Sequence, residues 1–264
     1  MYQATVRNSI ALQQCIAIMN CDTNNINLHF NNQELMMISI NGDQSTLLEI
    51  KIPLKVTQRS KNHCVGVQLS SLQKTLRMTK AEEQIEFVLN ENKPDLIQIR
   101  FNRTGEQYKQ IELHTLELQQ ECMIPANNEY QHAINIEATI LPQIAKLRKQ
   151  LKRLEIEQSQ QNSDIGFDES MYVEIETQEE VLHLNINAIN CKGIVTVKRK
   201  QNEKQNEKNQ FKNKYNINHL SLLPEDQSLN KEVTLSWAKE TILRIEYKFD
   251  VIGYLRYYVA PLNM

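Results

Sequence analysis

Apolar residues recur at every second position in many short runs of this chain, a pattern typical of strands with one buried face. In the clearest run, Leu243, Ile245 and Tyr247 alternate with charged residues. Strands are predicted at residues 46–53, 63–69, 84–89, 96–101, 108–118, 171–176, 181–186, 193–198, 232–237, 242–249 and 254–259. So many short strands with few helices indicate an antiparallel α+β architecture.

One order of elements occurs twice along the chain: a helix, a strand, a tight turn and a second strand. Phe87 in the first copy matches Leu235 in the second at an offset of 148 residues, and Ile99 matches Ile245 at an offset of 146. Any two β-hairpins that follow a helix would look alike, which is the alternative interpretation. The shared order of all four elements favours a duplicated domain.

The two copies are predicted to form an N-terminal domain at residues 1–115 and a C-terminal domain at residues 129–264. Residues 116–128 have no sustained period and are predicted to connect the two domains. Two polar stretches, 155–170 and 200–214, carry too few apolar residues to offset the entropy of ordering. We expect mobile loops there.

A cationic helix is predicted at residues 141–154. Its apolar positions fall within one arc at about 100° per residue, and its cations centre roughly opposite. The apolar set is Ile144, Leu147, Leu151 and Leu154, and the cationic set is Lys146, Arg148, Lys149, Lys152 and Arg153. A solvated surface helix is the alternative, but such helices usually carry charges of both signs. A face of one sign repels itself, and a bound polyanion would relieve that repulsion.

A second predicted helix, residues 70–79, shows the same arrangement more weakly. Lys74 and Arg77 lie opposite its leucines, and Lys80 follows at its end. The helix therefore has one apolar face and one smaller cationic face.

The composition excludes several classes of protein. Hydrophobic residues make up 41% of the chain and charged residues 23%, and the formal net charge of −2 predicts no global basic surface. The five cysteines are widely spaced, without a metal-ligand pattern. No run of about 18 apolar residues could span a bilayer, and no phosphate-binding glycine loop or HExxH motif is present. We expect a soluble, intracellular protein that is not an enzyme, with no catalytic residue, metal or cofactor.

The ends of the chain carry the most specific signal. The sequence EYK followed by GYLRYYVAP near the C-terminus, and MYQATV before a short helix at the N-terminus, closely resemble the PCNA family of DNA sliding clamps. The resemblance implies a DNA-clamp fold, in which two similar domains of antiparallel sheets place helices around a central channel. It also implies a nuclear, trimeric ring that binds duplex DNA non-specifically, with no cofactor and no membrane partner. DNA polymerase, a clamp loader and other proteins with a PCNA-interacting peptide are the partners it implies.

In such clamps the helices that line the channel face the phosphates of the duplex. The resemblance assigns this role to Lys74, Arg77, Lys80, Lys146, Lys149 and Arg153. The chain departs from the family in its first predicted helix, residues 9–19, and in its fourth, residues 218–223. Uncharged or acidic residues stand in these helices or directly after them where the family usually has basic ones, namely Gln13, Gln14, Asn20 and Glu225.

The resemblance also implies a docking pocket for partner peptides of the form Gln-x-x-aliphatic-x-x-aromatic-aromatic. An apolar slot of this kind would bury one helical turn and two aromatic rings. Ordinary core positions are the alternative for these residues. The pocket is expected to comprise Ile40, Gln44, Leu47, Met123, Ile124, Pro125, Tyr258, Ala260 and Pro261. Gln44 replaces the histidine that is usual in the family.

Two segments are predicted to pair between subunits and to close the ring. Residues 108–118 combine Ile111 and Leu113 with the acidic Glu112 and Glu117. Residues 191–200 combine aliphatic side chains with basic ones, and opposite charges suit a head-to-tail interface. Internal strands with incidental charge are the alternative. The aliphatic residues of the second segment are Ile194, Val195 and Val197.

Two further functions are compatible with these residues. The chain could be one subunit of a specialised heterotrimeric clamp, either of the checkpoint type or a paralogue. It could also be a clamp-fold scaffold that binds partner peptides without encircling DNA. The mass of the protein in solution distinguishes a homotrimer from both.

Overall fold

The structure is a computed structural model. It describes residues 1–6, 8–58, 61–79, 83–102, 108–118, 130–159, 171–178, 181–187, 192–198, 212–216, 219, 230–238, 241–249 and 253–262. The helices in these ranges are α1 Ser9–Asp22, α2 Leu69–Leu76 and α3 Ile140–Ser159. None of them is long and apolar enough to cross a membrane.

Sixteen strands account for most of the described residues. The first eight are β1 Tyr2–Val6, β2 Asn25–Phe30, β3 Glu34–Ile40, β4 Thr46–Gln58, β5 His63–Gln68, β6 Gln84–Leu89, β7 Leu96–Asn102 and β8 Tyr108–His114. The second eight are β9 His132–Glu137, β10 Tyr172–Gln178, β11 Val181–Asn187, β12 Lys192–Lys198, β13 Lys212–Asn216, β14 Glu232–Trp237, β15 Leu243–Lys248 and β16 Tyr254–Val259.

The chain divides into two compact units. Unit 1 comprises Met1–Ala126 with Lys248–Arg256, and unit 2 comprises Asn127–Tyr247 with Tyr257–Met264. The predicted domain limits at residues 115 and 129 and the predicted connector remain predictions, because residues 119–129 lie outside the described ranges.

Unit 1 is built on strands in the order β8-β7-β6-β1-β4, with antiparallel neighbours. Strand β4 changes partner along its length, because residues 47–53 pair with β3 and residues 54–58 pair with β1. Pro53 lies where the partner changes, a position that suits a residue without a backbone N–H. Strand β3 in turn pairs with β2, and β2 with β5. Helices α1 and α2 bury their apolar faces, including Leu12, Ile16 and Leu72.

Unit 2 contains strands in the order β15-β14-β9 and a four-stranded antiparallel sheet in the order β12-β11-β10-β13. Helix α3 packs against β12. The core of the four-stranded sheet is formed by alternating residues, including Val173, Leu182, Leu184 and Tyr215. The first half of β16 belongs to unit 1 and its second half, from Tyr257, belongs to unit 2.

The antiparallel α+β architecture is confirmed, and the two hairpins of the repeat form as the sequence predicts. Phe87 pairs with Ile99 in the first hairpin, and Leu235 pairs with Ile245 in the second. Phe87 and Leu235 correspond to each other in the sequence repeat, and so do Ile99 and Ile245. The repeat therefore preserves the pairing register of the strands as well as the order of elements. All four side chains are buried.

The structure also corrects several predicted boundaries. Helix α3 continues to Ser159, so the first five residues of the predicted loop 155–170 are helical. Strand β13 begins at Lys212, inside the predicted loop 200–214. The predicted strand 108–118 ends at His114. The fourth predicted helix, 218–223, lies outside the described ranges except for His219, which is helical.

Candidate DNA-facing helices and subunit edges

Helix α3 separates apolar from cationic side chains, as its sequence predicts. Leu141, Ile144 and Leu151 are buried on one side. The side chains of Lys146, Lys149 and Arg153 are exposed, and Arg148 and Lys152 are half-buried. The exposed cations follow the i, i+3, i+7 spacing of one helical stripe, about 10 Å long at 1.5 Å per residue. This stripe can contact several phosphates of a polyanion at once.

Helix α2 carries a smaller cationic face. Its buried side includes Leu69, Leu72 and Leu76, whereas Lys74 and Arg77 are exposed. Lys74 lies in the last turn and Arg77 is the C-cap, where positive charge is stabilised by the helix dipole. Lys80 lies outside the described ranges.

Helix α1 presents a face without charge. Its N-cap Asn8 accepts a hydrogen bond from the backbone N–H of Ala11 at 2.9 Å. The face opposite its core consists of Ile10, Gln13, Gln14, Ala17 and Cys21, all of them exposed or half-buried.

Helix α1 is also joined to α2. The side-chain amide of Asn20 donates to Oε1 of Gln73 at 3.1 Å. Asn20, a predicted departure from the family pattern, therefore links two helices of unit 1. Taken together, unit 1 presents one helix with a cationic face and one helix with an uncharged face.

Strand β8 is the end strand of its sheet. Leu113 pairs with Ile97, Ile111 with Ile99 and Lys109 with Phe101, so these residues of β8 share the face of the buried core. Ile111 and Leu113 are nevertheless only half-buried. Helix α2 contacts β8, and Met78 just after that helix is 57% exposed. The edge of unit 1 thus leaves aliphatic surface incompletely covered.

Strand β12 is an end strand with a comparable surface. Val197 and Val195 pair with the buried Leu182 and Leu184 and share the core face with Gly193. Val195 is half-buried, and Ile194 on the opposite face is 55% exposed. Glycine at 193 lets α3 pack closely, because a Cβ atom there would lie 2.5 Å from Cδ2 of Leu147 and would displace that side chain.

Other strand edges are capped or offer little apolar surface. The outer edge of β5 is bridged at Gly66 by Leu116, and that of β13 is bridged at Tyr215 by Pro261. The end strand β9 directs Ile134 and Ile136 into the core. Within the described ranges, β8 and β12 are therefore the end strands that combine an open edge with half-buried aliphatic residues.

The predicted peptide pocket is described only in part. Ile40 and Leu47 are half-buried cross-strand partners in unit 1, and Gln44 lies exposed in the loop between their strands with a positive φ of 58°. In unit 2, Tyr258 is buried, with 8% of its surface exposed. Ala260 and Pro261 are half-buried there. Met123, Ile124 and Pro125 lie outside the described ranges.

The loop before Leu47 is held by its own polar side chains. Oδ1 of Asn41 accepts a hydrogen bond from the backbone N–H of Thr46 at 2.8 Å, and its amide donates to Oγ of Ser45 at 3.0 Å. Asp43 accepts from the backbone N–H of Ser45 at 2.9 Å. These hydrogen bonds within the loop hold its backbone in one conformation.

Comparison with solved structures places this architecture among known folds. The chain is similar to a chain in the crystal structure of the PCNA2–PCNA3 complex from Sulfolobus tokodaii, with a TM-score of 0.75 and 14% sequence identity. The similarity covers 99% of both chains. No family model and no curated protein matches the sequence.

The chain has the PCNA clamp fold. The expected fold is thereby confirmed over almost the whole chain. In the described ranges, no three His, Cys, Asp or Glu side chains are grouped to hold a metal ion.

Sequence reasoning missed one polar cluster, which lies in unit 1 on the face of β4 that carries Leu47. The phenol of Tyr254 donates to Oε1 of the buried Glu49 at 2.7 Å, and a guanidinium nitrogen of Arg256 lies 4.0 Å from Oε2. The Arg256 guanidinium also stacks over the Tyr254 ring at 3.7 Å from its centroid.

The cluster changes the ionisation of Tyr254. Burial, followed by the hydrogen bond to Glu49, raises the pKa of Tyr254 well above its usual range. The phenol stays protonated and keeps donating to Glu49 at physiological pH. The alternation of Tyr254 and Arg256 along β16 was the sequence signal for this cluster, but its partner on β4 could not be identified without the fold.

Proposed function

We propose that this protein is a subunit of a ring-shaped sliding clamp that encircles duplex DNA and tethers replication or repair proteins to it. The observation that carries the proposal is the combination of the clamp fold with two end strands, β8 in unit 1 and β12 in unit 2, whose outer edges pair with no other strand of the described ranges. When two different strand edges of identical chains pair with each other, the chains associate head to tail through a heterologous interface. Such an assembly closes into a ring when the rotation between neighbouring subunits allows it.

DNA binding is assigned to the cationic faces of α2 and α3. Lys74, Arg77, Lys146, Lys149 and Arg153 are exposed on these helices, and Lys80 is added from the sequence. Contacts from lysine and arginine to phosphates carry no sequence information, so the ring can slide. Non-specific binding has a dissociation constant of roughly 10⁻⁴–10⁻⁶ M at physiological salt. Topological closure, rather than affinity, therefore holds the protein on DNA, and an ATP-driven loader is needed to open the ring.

A homotrimer is the assembly we propose first, in the nucleus, with DNA polymerase, a clamp loader and other proteins that carry a PCNA-interacting peptide as partners. The peptide pocket around Ile40, Leu47 and Tyr258 is part of this proposal. The uncharged face of α1 favours a second candidate, a heterotrimer in which paralogues supply additional cations.

Encirclement can be tested without a loader. Linear duplex DNA biotinylated at both ends is incubated with the protein, and streptavidin is then added to block the ends. The complex is washed in 1 M salt, at which the Debye length falls to about 3 Å and exposed charges are screened. Protein threaded on the DNA survives the wash, and cutting the duplex internally releases it.

The matched control is the double variant Ile111→Lys/Leu113→Lys, which removes the aliphatic surface of β8. We expect retention of the native protein and none of the variant. Loss of the native protein in the wash, at the same rate with open and with blocked ends, would contradict encirclement. The peptide-binding scaffold would then be the better assignment.

A further inference from the structure

The face of β4 that carries Leu47 continues into charged residues. Leu47, Glu49 and Lys51 alternate along the strand, so they lie on one face of the sheet, with about 7 Å from each to the next. Ile40 on β3 is the cross-strand partner of Leu47. The part of the proposed peptide pocket that lies in unit 1 is therefore bordered along β4 by two charged positions.

Strand β16 adds an aromatic ring and a guanidinium to the same group. It lies beside β4 in the sheet order, and the phenol of Tyr254 donates to Oε1 of Glu49 at 2.7 Å. The guanidinium of Arg256 lies 3.7 Å from the centroid of the Tyr254 ring, and Nζ of Lys51 lies 5.3 Å from it. Two cations thus contact one ring, which is itself held by a hydrogen bond to a buried carboxylate.

The cations of this group are more exposed than the carboxylates that they face. The side chain of Arg256 is 26% exposed, whereas that of Glu49, 4.0 Å away, is 8% exposed. The side chain of Lys51 is 24% exposed and that of Glu34, 3.1 Å away, is 19% exposed. Although the four formal charges cancel, the positive groups are the more accessible ones.

Arg256 is well suited to bind a further carboxylate. A guanidinium has five N–H donors in a planar fork, so it can donate to more than one acceptor at a time. Its stacking over Tyr254 fixes the plane of the guanidinium before a ligand arrives. A group that is already oriented loses less conformational entropy on binding.

We propose that Arg256 and Lys51 bind the carboxylate of an aspartate or glutamate in the partner peptide, close to the residues that fill the apolar pocket. This inference rests on the proposed function and deepens it, because it names the charge that a partner peptide should carry. A peptide residue two to four positions from the one at Leu47 reaches the two cations in an extended conformation, at about 3.3 Å per residue. Complementary charge then selects among peptides that share the same apolar residues.

Peptide binding to the full chain tests this site. Two pairs of peptides share the form Gln-x-x-aliphatic-x-x-aromatic-aromatic and differ only in carrying glutamate or glutamine at two flanking positions. One pair has these positions before the shared residues, and the other pair has them after. Dissociation constants are measured for the native protein and for Arg256→Gln and Lys51→Gln. The control is Lys93→Gln, which removes one exposed cation from the turn between β6 and β7.

We expect the glutamate peptide of one pair to bind the native protein at least about threefold more tightly than its glutamine counterpart. This preference should be lost in Arg256→Gln, reduced at least about twofold in Lys51→Gln and unchanged in Lys93→Gln. It should also disappear in 1 M salt, where the Debye length is about 3 Å. Urea unfolding is measured in parallel because Arg256 lies beside the buried Glu49, and Lys51→Gln decides the question if Arg256→Gln does not fold.

The outcomes separate this site from the function on which it rests. Equal binding of glutamate and glutamine peptides in both pairs would overturn the site and leave the apolar pocket intact. A preference that is unchanged in Arg256→Gln and Lys51→Gln would overturn it as well. Failure of all four peptides to bind would refute the pocket, and this site with it, whereas the mass of the protein in solution tests ring formation independently.

Discussion

Leu147 of α3 lies directly over Gly193 of β12, so closely that a methyl group at residue 193 would come within 2.5 Å of Cδ2 of Leu147. This contact joins two functional parts of unit 2. The cationic helix proposed to face DNA is packed onto the strand proposed to pair with the next subunit. The position of the proposed DNA-facing helix and that of the proposed subunit edge are therefore coupled through the contact between Leu147 and Gly193.

Gly193→Ala should destabilise the protein, because the added methyl group overpacks this contact at a cost of about 1–3 kcal/mol. The cost should disappear when Leu147 is also replaced by alanine, since the space above residue 193 is then free. Urea unfolding of the single and double variants measures this coupling. Gly42→Ala is the matched control, because a Cβ atom at residue 42 meets nothing within 4 Å. Equal costs of Gly193→Ala in both backgrounds would disprove the contact.

Charge reversal of the exposed stripe of α3 should weaken DNA binding without unfolding the protein. Lys146→Glu, Lys149→Glu and Arg153→Glu replace exposed cations, and each substitution should change the free energy of unfolding by no more than about 0.5 kcal/mol. Each lost phosphate contact should lower the slope of log K against log salt by about 0.9. Clamp-dependent stimulation of a polymerase should fall as well, and reversal of Lys74 and Arg77 should add to both effects.

The control for this triple variant changes the net charge equally at exposed lysines outside the helices. Lys55, Lys93 and Lys231 meet this condition. An equal decrease of the salt slope in both triple variants would indicate only a long-range effect of net charge, and the α3 face would lose its assigned role.

Adding lysines to the uncharged face of α1 should have the opposite effect. Gln13→Lys and Gln14→Lys would each offer a new phosphate contact, so the salt slope should steepen and diffusion along DNA should slow. Glu225→Lys extends the same test to a position outside the described ranges. Asn32→Lys/Gln33→Lys, in an exposed turn of unit 1, is the control. No change relative to this control would show that α1 does not approach the DNA backbone.

Peptides that end in two aromatic residues should bind with micromolar affinity, roughly −8 kcal/mol. The double variant Ile124→Ala/Tyr258→Ala should weaken binding at least about tenfold, because both side chains are proposed to contact the apolar residues of the peptide. Since Tyr258 is buried, the free energy of unfolding is measured in parallel. Ile10→Ala removes an exposed aliphatic side chain on α1 and serves as the control. Unchanged affinity of a folded double variant would place the peptide site elsewhere.

The sequence predicted those elements whose own residues determine their structure. The hairpin β14–β15 alternates between apolar and polar residues throughout, the hairpin β6–β7 does so over most of its length, and the register of both agrees with the repeat offsets. The cationic helix was also evident, because its charges are all of one sign until Glu155. These signals are local and need no tertiary information.

Elements stabilised by distant partners were missed. Strand β13 has the polar sequence KNKYN, yet Tyr215 and Asn213 are buried. The Asn213 amide donates to the carbonyl of Ala238 at 2.8 Å, a contact that hydropathy cannot reveal. Strand β4 was predicted to end at Pro53, but it continues to Gln58 because it changes partner there. Whether the edge of a strand is paired likewise depends on the order of strands in the sheet. From the sequence alone, the two subunit edges were therefore only a hypothesis.

The mass of the native protein in solution, measured by multi-angle light scattering, tests the central claim most directly. The account predicts a mass near three times the 30.9 kDa of one chain, and a folded monomer for Ile111→Lys/Leu113→Lys. Replacing Ala133 and Glu137 on the exposed face of β9 with lysine should leave the trimer intact. A native mass of 30.9 kDa at every concentration, with no increase up to the micromolar range, would contradict a homotrimeric ring built on β8 and β12.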